Sequence, residues 1–212
     1  MFADIDTLIQ GQPVMAILRN MEAKRAVELA SKAWDLGIDL VEVPIQTADA
    51  VPSLEAVIKA GAERGKPVGA GTVVSAEQVQ QSLDLGAAFT VAPGLDEEIV
   101  GLCRSAGIPH LPGISTPSEI QAAVRLGCTV VKAFPASVLG TEWFKAMQGP
   151  FPGVSLVATG GIDASNAASF LQAGARTVAV GSALADDRQL DLIAHILAAR
   201  RKPGNDGPGH DQ

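Results

Sequence analysis

A phrase recurs along the chain: an amphipathic stretch closes on Leu-Gly or Ala-Gly, and a short apolar run follows at once. The copies are Leu36-Gly37 before IDLVEVP, Leu85-Gly86 before AAFTVAP, Ala106-Gly107 before IPHLPG, Leu126-Gly127 before CTVVKAFP and Ala173-Gly174 before ARTVAVG. Glycine directly after a helix supplies the left-handed conformation that ends it. Runs that are apolar on both faces are strands of a parallel sheet with helices packed over it. Residues 13–18, 67–70 and 154–158 are three more such runs, which makes eight strands.

The stretches between them read as helices. Residues 22–34 carry Ala26, Val27, Leu29 and Ala30 on one face, and residues 192–199 close the chain. Ser75-Ala-Glu-Gln78 and Thr116-Pro-Ser-Glu119 have the form of capping boxes, the second with proline at the first helical position. Helices alternating with parallel strands form right-handed βα units. Eight such units predict a single-domain (β/α)8 TIM barrel over residues 1–200, and 212 residues suit it. An open doubly wound sheet would suit fewer strands. It would also usually carry G-x-G-x-x-G after strand one, where this chain has Ala16-Ile-Leu-Arg-Asn20. Residues 201–212 are polar and rich in Gly and Pro, so they are expected to form a disordered tail.

Composition narrows the partners. A net charge of −7 lacks the basic footprint of a nucleic-acid binder. No apolar run is long enough to span a bilayer, and the N-terminus has neither a basic nor a long apolar segment of a signal peptide. Cys103 and Cys128 show no metal or disulfide pattern, so a cytoplasmic location is expected. His110, His195 and His210 form no metal triad. His110 reads as a packed core histidine, and no metal site is expected.

Two charged residues interrupt the apolar runs. Glu42 and Lys132 each fall five positions after the glycine that opens their strand, Gly37 and Gly127. At the same phase of two related strands they can share one interior. Burial lowers the pKa of an amine and turns lysine into a nucleophile able to form a Schiff base with a ketone. A structural ion pair is the other reading of the same two residues.

Barrel active sites lie at the C-terminal ends of the strands. Those ends hold Arg19, Gln46, Thr72, Pro93, Phe134, Thr159, Gly160, Gly161, Gly181 and Ser182. Glycines after strands seven and eight let backbone N–H groups approach a phosphate.

The motifs PVMAILR, VEVP, VGAGT, APG, LPGIST, VKAFP, ATGGI and Gly181-Ser182, in this order, resemble the 2-keto-3-deoxy-6-phosphogluconate aldolases and their close relatives. The resemblance runs from about Met15 to Ala185. It implies a metal-independent class I aldolase with no cofactor beyond a covalent Schiff base on Lys132, commonly assembled as a homotrimer. Glu42 matches the general acid/base. Arg19 and Thr72 match residues that hold the pyruvyl carboxylate. Gly160, Gly161, Gly181 and Ser182 match the phosphate site, and Pro93, Phe134 and Thr159 match the pocket wall. The implied reaction splits a phosphorylated 2-keto-3-deoxy sugar acid into pyruvate and glyceraldehyde 3-phosphate, with 4-hydroxy-2-oxoglutarate as a further substrate.

Gln46 stands where gluconate-type members usually have arginine, as in the galactonate-type relatives, whereas Thr159-Gly-Gly-Ile162 resembles the gluconate type. The absence of tyrosine excludes the tyrosine proton shuttle of other lysine aldolases. The competing readings are another phosphate-binding barrel enzyme, an epimerase or transferase, and a non-catalytic phosphosugar-binding barrel.

Overall fold

Nine parallel strands hydrogen-bond in the order β5-β4-β3-β2-β1-β9-β8-β7-β6 in a computed structural model that describes residues 4–181, 184 and 186–201. They are β1 (Val14–Ile17), β2 (Leu40–Pro44), β3 (Val68–Gly71), β4 (Phe89–Val91), β5 (His110–Leu111), β6 (Gly113–Ile114), β7 (Val130–Ala133), β8 (Ser155–Thr159) and β9 (Ala175–Val180). The two ends of the row, β5 and β6, are one segment interrupted at Pro112, which has no N–H to give to a ladder. On one side Ala92 N donates to Leu111 O (3.0 Å), and on the other Lys132 N donates to Pro112 O (2.8 Å). That segment closes the ring. The eight expected strands are present, with the fifth split in two.

The helices are α1 (Ile5–Ile9), α2 (Ala23–Leu36), α3 (Val51–Arg64), α4 (Ala76–Asp84), α5 (Glu97–Ala106), α6 (Pro117–Arg125), α7 (Ala136–Leu139), α8 (Thr141–Gln148), α9 (Ala167–Gln172) and α10 (Asp187–Arg201). They cover the outside, apart from α1, which lies under one mouth of the ring. The glycines of the recurring phrase, Gly37, Gly86, Gly107, Gly127 and Gly174, all have positive φ, which is why that phrase ends each helix. The capping box at Thr116 is complete. At Ser75 only half forms: Ser75 Oγ accepts from Gln78 N, but the Gln78 side chain turns away to Val74 N and Ile45 O.

The core has two layers. Between sheet and helices lie residues such as Ala16, Val41, Ala70, Val131 and Val178, packed on Leu29, Leu54, Phe144 and Phe170. Inside the ring lie Met15, Ile17, Leu40, Phe89, Val91, Leu111, Val130, Val157 and Ala179. Ile5 and Ile9 of α1 join this inner layer. Asp6 beside them accepts from Arg176, at the start of β9 (2.5 Å), so α1 stoppers the N-terminal mouth. Burying each isoleucine is worth roughly 2 kcal/mol. The strands end at the opposite mouth. Among the described residues no helix is long and apolar enough to cross a membrane. Of the expected tail, residues 201–212, Arg201 still belongs to α10, and residues 202–212 lie outside the described residues.

Candidate active site

Strand register decides where the two charged residues point. Lys132 pairs with Gly113 on one side and Val157 on the other, and Val157 belongs to the inner layer. Glu42 pairs with Ile17 and Gly69, and Gly69 pairs with Phe89; Ile17 and Phe89 are inner-layer residues too. Partners in parallel register face the same way. Lys132 and Glu42 therefore both point into the lumen, 2% and 1% exposed.

They do not form a closed ion pair. Among the described residues no hydrogen bond and no ion pair within 4.0 Å reaches the Lys132 ammonium. Its contact is with the ring of Phe134, two residues along on the same face, 5.2 Å from Nζ to the centroid. Glu42 Oε1 is buried and has no hydrogen-bond partner among the described residues. Burial pushes the amine below the ordinary lysine value of 10.5; the Glu42 carboxylate opposes this, and the Arg19 guanidinium adds to it. A buried amine of lowered basicity opposite an unpartnered carboxylate can attack a carbonyl and exchange a proton across the gap.

The neighbouring strand ends complete the mouth. Gly71 closes β3, and a Cβ there would lie 2.0 Å from Glu42 Oε1, so the glycine makes room for the carboxylate. Thr72 follows with φ 58°, and its Oγ1 lies 3.5 Å from Arg19 Nη2. Asn20 also has positive φ, 54°, and its Oδ1 accepts from Gln46 Nε2 (2.5 Å). Among the described residues these two are the non-glycine positions with positive φ. Both sit on the rim beside Glu42. A β-branched residue there is strained by about 1–3 kcal/mol, and such strain collects at functional sites.

Across the mouth, Thr159 ends β8 beside inner-layer Ala179. Gly160 has φ 93°, and a Cβ on it would strike the Phe134 ring at 2.9 Å. Gly161 has φ 70°, and a Cβ there would meet Ser137 Oγ at 2.1 Å. Gly181 follows the adjacent strand β9, and Pro93 follows β4, half-buried. Ser182 lies outside the described residues. Because the strands are parallel, Arg19, Glu42, Gln46, Thr72, Pro93, Lys132, Phe134, Thr159, Gly160, Gly161 and Gly181 all gather at one mouth.

Two contributors were not legible as such. Gly71 looked like one glycine of a Gly-Ala-Gly run, and Asn20 like the residue after Arg19. An asparagine just past a strand end, a type that tolerates the left-handed region, was the one available signal for the second.

His110 stands at the start of β5, towards the opposite mouth, half-buried, with Nδ1 2.8 Å from Thr90 Oγ1 and with Nε2 buried and without a hydrogen-bond partner among the described residues. Burial lowers its pKa to about 4. Cys103 and Cys128 are free thiols, both pushed up by burial. Among the described residues no three His, Cys, Asp or Glu side chains cluster as metal ligands would.

The chain is similar to known proteins over most of its length. A probable 2-dehydro-3-deoxy-6-phosphogalactonate aldolase of Rhizobium meliloti (strain 1021) is 33% identical over 82% of this chain and 82% of its own. A 2-dehydro-3-deoxy-phosphogluconate aldolase of Treponema pallidum (strain Nichols) is 38% identical over 75% of this chain and 74% of its own. Among solved structures, the KDPG aldolase of Legionella pneumophila, with pyruvate captured as a covalent carbinolamine intermediate, superposes with a TM-score of 0.80 at 27% identity, covering 94% of this chain and 99% of that one. Residues 5–196 match the family of KDPG and KHG aldolases, and the chain belongs to that family of carbon–carbon lyases.

Proposed function

We propose that this aldolase cleaves 2-dehydro-3-deoxy-6-phosphogluconate, or its galactonate epimer, to pyruvate and glyceraldehyde 3-phosphate through a Schiff base on Lys132. It also takes 4-hydroxy-2-oxoglutarate, because the lysine recognises the pyruvyl end that these substrates share. The observation that carries the reading is the pair of buried side chains, the Lys132 amine and the Glu42 carboxyl, in the lumen at the strand ends, with no hydrogen bond or ion pair to either among the described residues.

In this mechanism the neutral Lys132 amine attacks the C2 ketone, and loss of water gives the iminium ion. Glu42 takes the proton of the C4 hydroxyl, directly or through water. The C3–C4 bond then breaks, and its electron pair flows into the iminium to form an enamine. The aldehyde departs. The enamine is protonated at C3, and hydrolysis of the imine frees pyruvate and the lysine. Arg19 and Thr72 hold the carboxylate, and Pro93, Phe134 and Thr159 shape the wall. Gly160, Gly161, Gly181 and Ser182 receive the phosphate through backbone N–H groups. No metal ion or organic cofactor is needed for any of these steps. The catalytic unit is a homotrimer, as the sequence resemblance implies; sedimentation at three times the 21.8 kDa chain mass would bear this out.

Borohydride reduction in the presence of pyruvate tests the reading. The expected result is a reduced pyruvyl adduct on the peptide containing Lys132, absent from Lys132→Ala. A folded wild-type protein that forms no adduct would overturn it.

A further inference from the structure

We infer that Asn20 is a positioning residue: it holds the Gln46 amide so that Gln46 Oε1 accepts a hydrogen bond from a hydroxyl of the substrate. The inference rests on the aldolase reading above.

Three observations carry it. The Asn20 backbone is left-handed (φ 54°), and its Oδ1 accepts from Gln46 Nε2 at 2.5 Å. The bond joins the loop after β1 to the loop after β2, 26 residues apart, past the C-terminal end of the strand that carries Glu42. With the amide nitrogen engaged, Gln46 Oε1 is buried and has no hydrogen-bond partner among the described residues. A buried acceptor left unmatched is costly, so a site built this way favours a ligand that supplies a donor. An amide oxygen disfavours a carboxylate and suits an O–H. The sugar-acid substrate carries hydroxyls on the part that leaves as aldehyde, whereas pyruvate has none.

The residue type fits the placement. Gln46 has a long, flexible side chain, and one fixed bond to its nitrogen removes most of its rotational freedom. Asparagine tolerates the left-handed backbone and presents an amide oxygen on a short stem. Arginine at this position, as in gluconate-type members, would present donors only and would select the opposite kind of group.

Glycine keeps the left-handed backbone and deletes the amide, so Asn20→Gly is the informative variant. Asn20→Asp keeps an oxygen in place for Gln46 Nε2 and serves as the conservative rescue. Asn20→Gly should lower kcat/KM for cleavage of 2-dehydro-3-deoxy-6-phosphogluconate by about tenfold, the scale of one neutral hydrogen bond. Borohydride trapping of pyruvate on Lys132 should proceed at the wild-type rate. Asn20→Asp should recover most of the lost kcat/KM. In a Gln46→Ala background, Asn20→Gly should cost nothing further, because its effect runs through Gln46.

Wild-type kcat/KM in Asn20→Gly, or losses that simply add in the double variant, would overturn the assignment while leaving the Schiff-base reading intact. Failure of the wild-type protein to trap pyruvate would instead remove the reading on which the assignment rests.

Discussion

Gly71 and Glu42 compete for one space: a Cβ on residue 71 would fall 2.0 Å from Glu42 Oε1 and 2.7 Å from its Cδ. The carboxylate can sit where it does because β3 ends in a residue without a side chain. Gly71→Ala should therefore move the carboxylate proposed as the base rather than remove it. A misplacement of roughly an ångström costs about a hundredfold in rate. Cleavage by Gly71→Ala should fall by about that factor, while pyruvate still traps on Lys132, because the amine is untouched. Steady-state kinetics beside a trapping assay would separate the two effects, and an unchanged kcat would refute the spatial argument.

The pH dependence of trapping should report the surroundings of Lys132. Burial holds the amine below 10.5, with Glu42 opposing and Arg19 assisting. Reactive neutral amine is therefore present at lower pH than for an exposed lysine. Arg19→Gln removes a charge that lowers the pKa, so the trapping profile should move to higher pH. Glu42→Gln removes a charge that raises it, so the profile should move to lower pH. Trapping rates across a series from about pH 5 to about pH 10 would show the two opposed shifts. The stability linkage has a matching sign: below 10.5 the folded state binds fewer protons than the unfolded one, so this group's contribution is lost as pH falls through the folded value.

The barrel was legible because its signals are local. A helix, a glycine and an apolar run recur within a few residues of one another, and glycine's φ follows directly from its lack of a Cβ. The phase of Glu42 and Lys132 was legible for a similar reason: alternation along a strand depends only on sequence spacing. The rest depends on distant partners. Gly71 matters through Glu42, twenty-nine positions earlier, and Asn20 through Gln46. The left-handed backbone of Thr72 runs against its own residue preference, so no local pattern announces it. Pro112 was in view, but that it divides a strand whose halves serve different neighbours is a property of the closed ring. The small helix α1 is too short for a periodic pattern, and its role comes from Ile5 and Ile9 filling the mouth below.

Thr72 should trade stability for function. Its φ of 58° is costly for a β-branched residue, and glycine would adopt it freely. Thr72→Gly should gain about 1 kcal/mol in urea unfolding, once the entropy of the more flexible unfolded chain is set against the relieved strain. The same variant loses the hydroxyl beside Arg19, so KM should rise. A variant that is both less stable and fully active would contradict this account of the strain.

His110 should make the fold sensitive to mild acid. Its pKa drops from 6.5 to about 4 because burial penalises the charged ring. Between those values the unfolded chain takes up a proton that the folded chain refuses, so stability falls as pH falls. At about 1.4 kcal/mol per pH unit, the loss attributable to this residue approaches about 3 kcal/mol once pH reaches the folded value. His110→Asn keeps a polar atom near Thr90 Oγ1 but cannot titrate, so its stability should lack this component. Urea midpoints for both proteins at about pH 7.5 and about pH 5 would isolate it, because other titrating groups contribute equally to each. The two proteins should converge in relative stability as the pH is lowered. Parallel losses would mean that the imidazole already accepts a proton in the folded state, through movement of the segment that carries it.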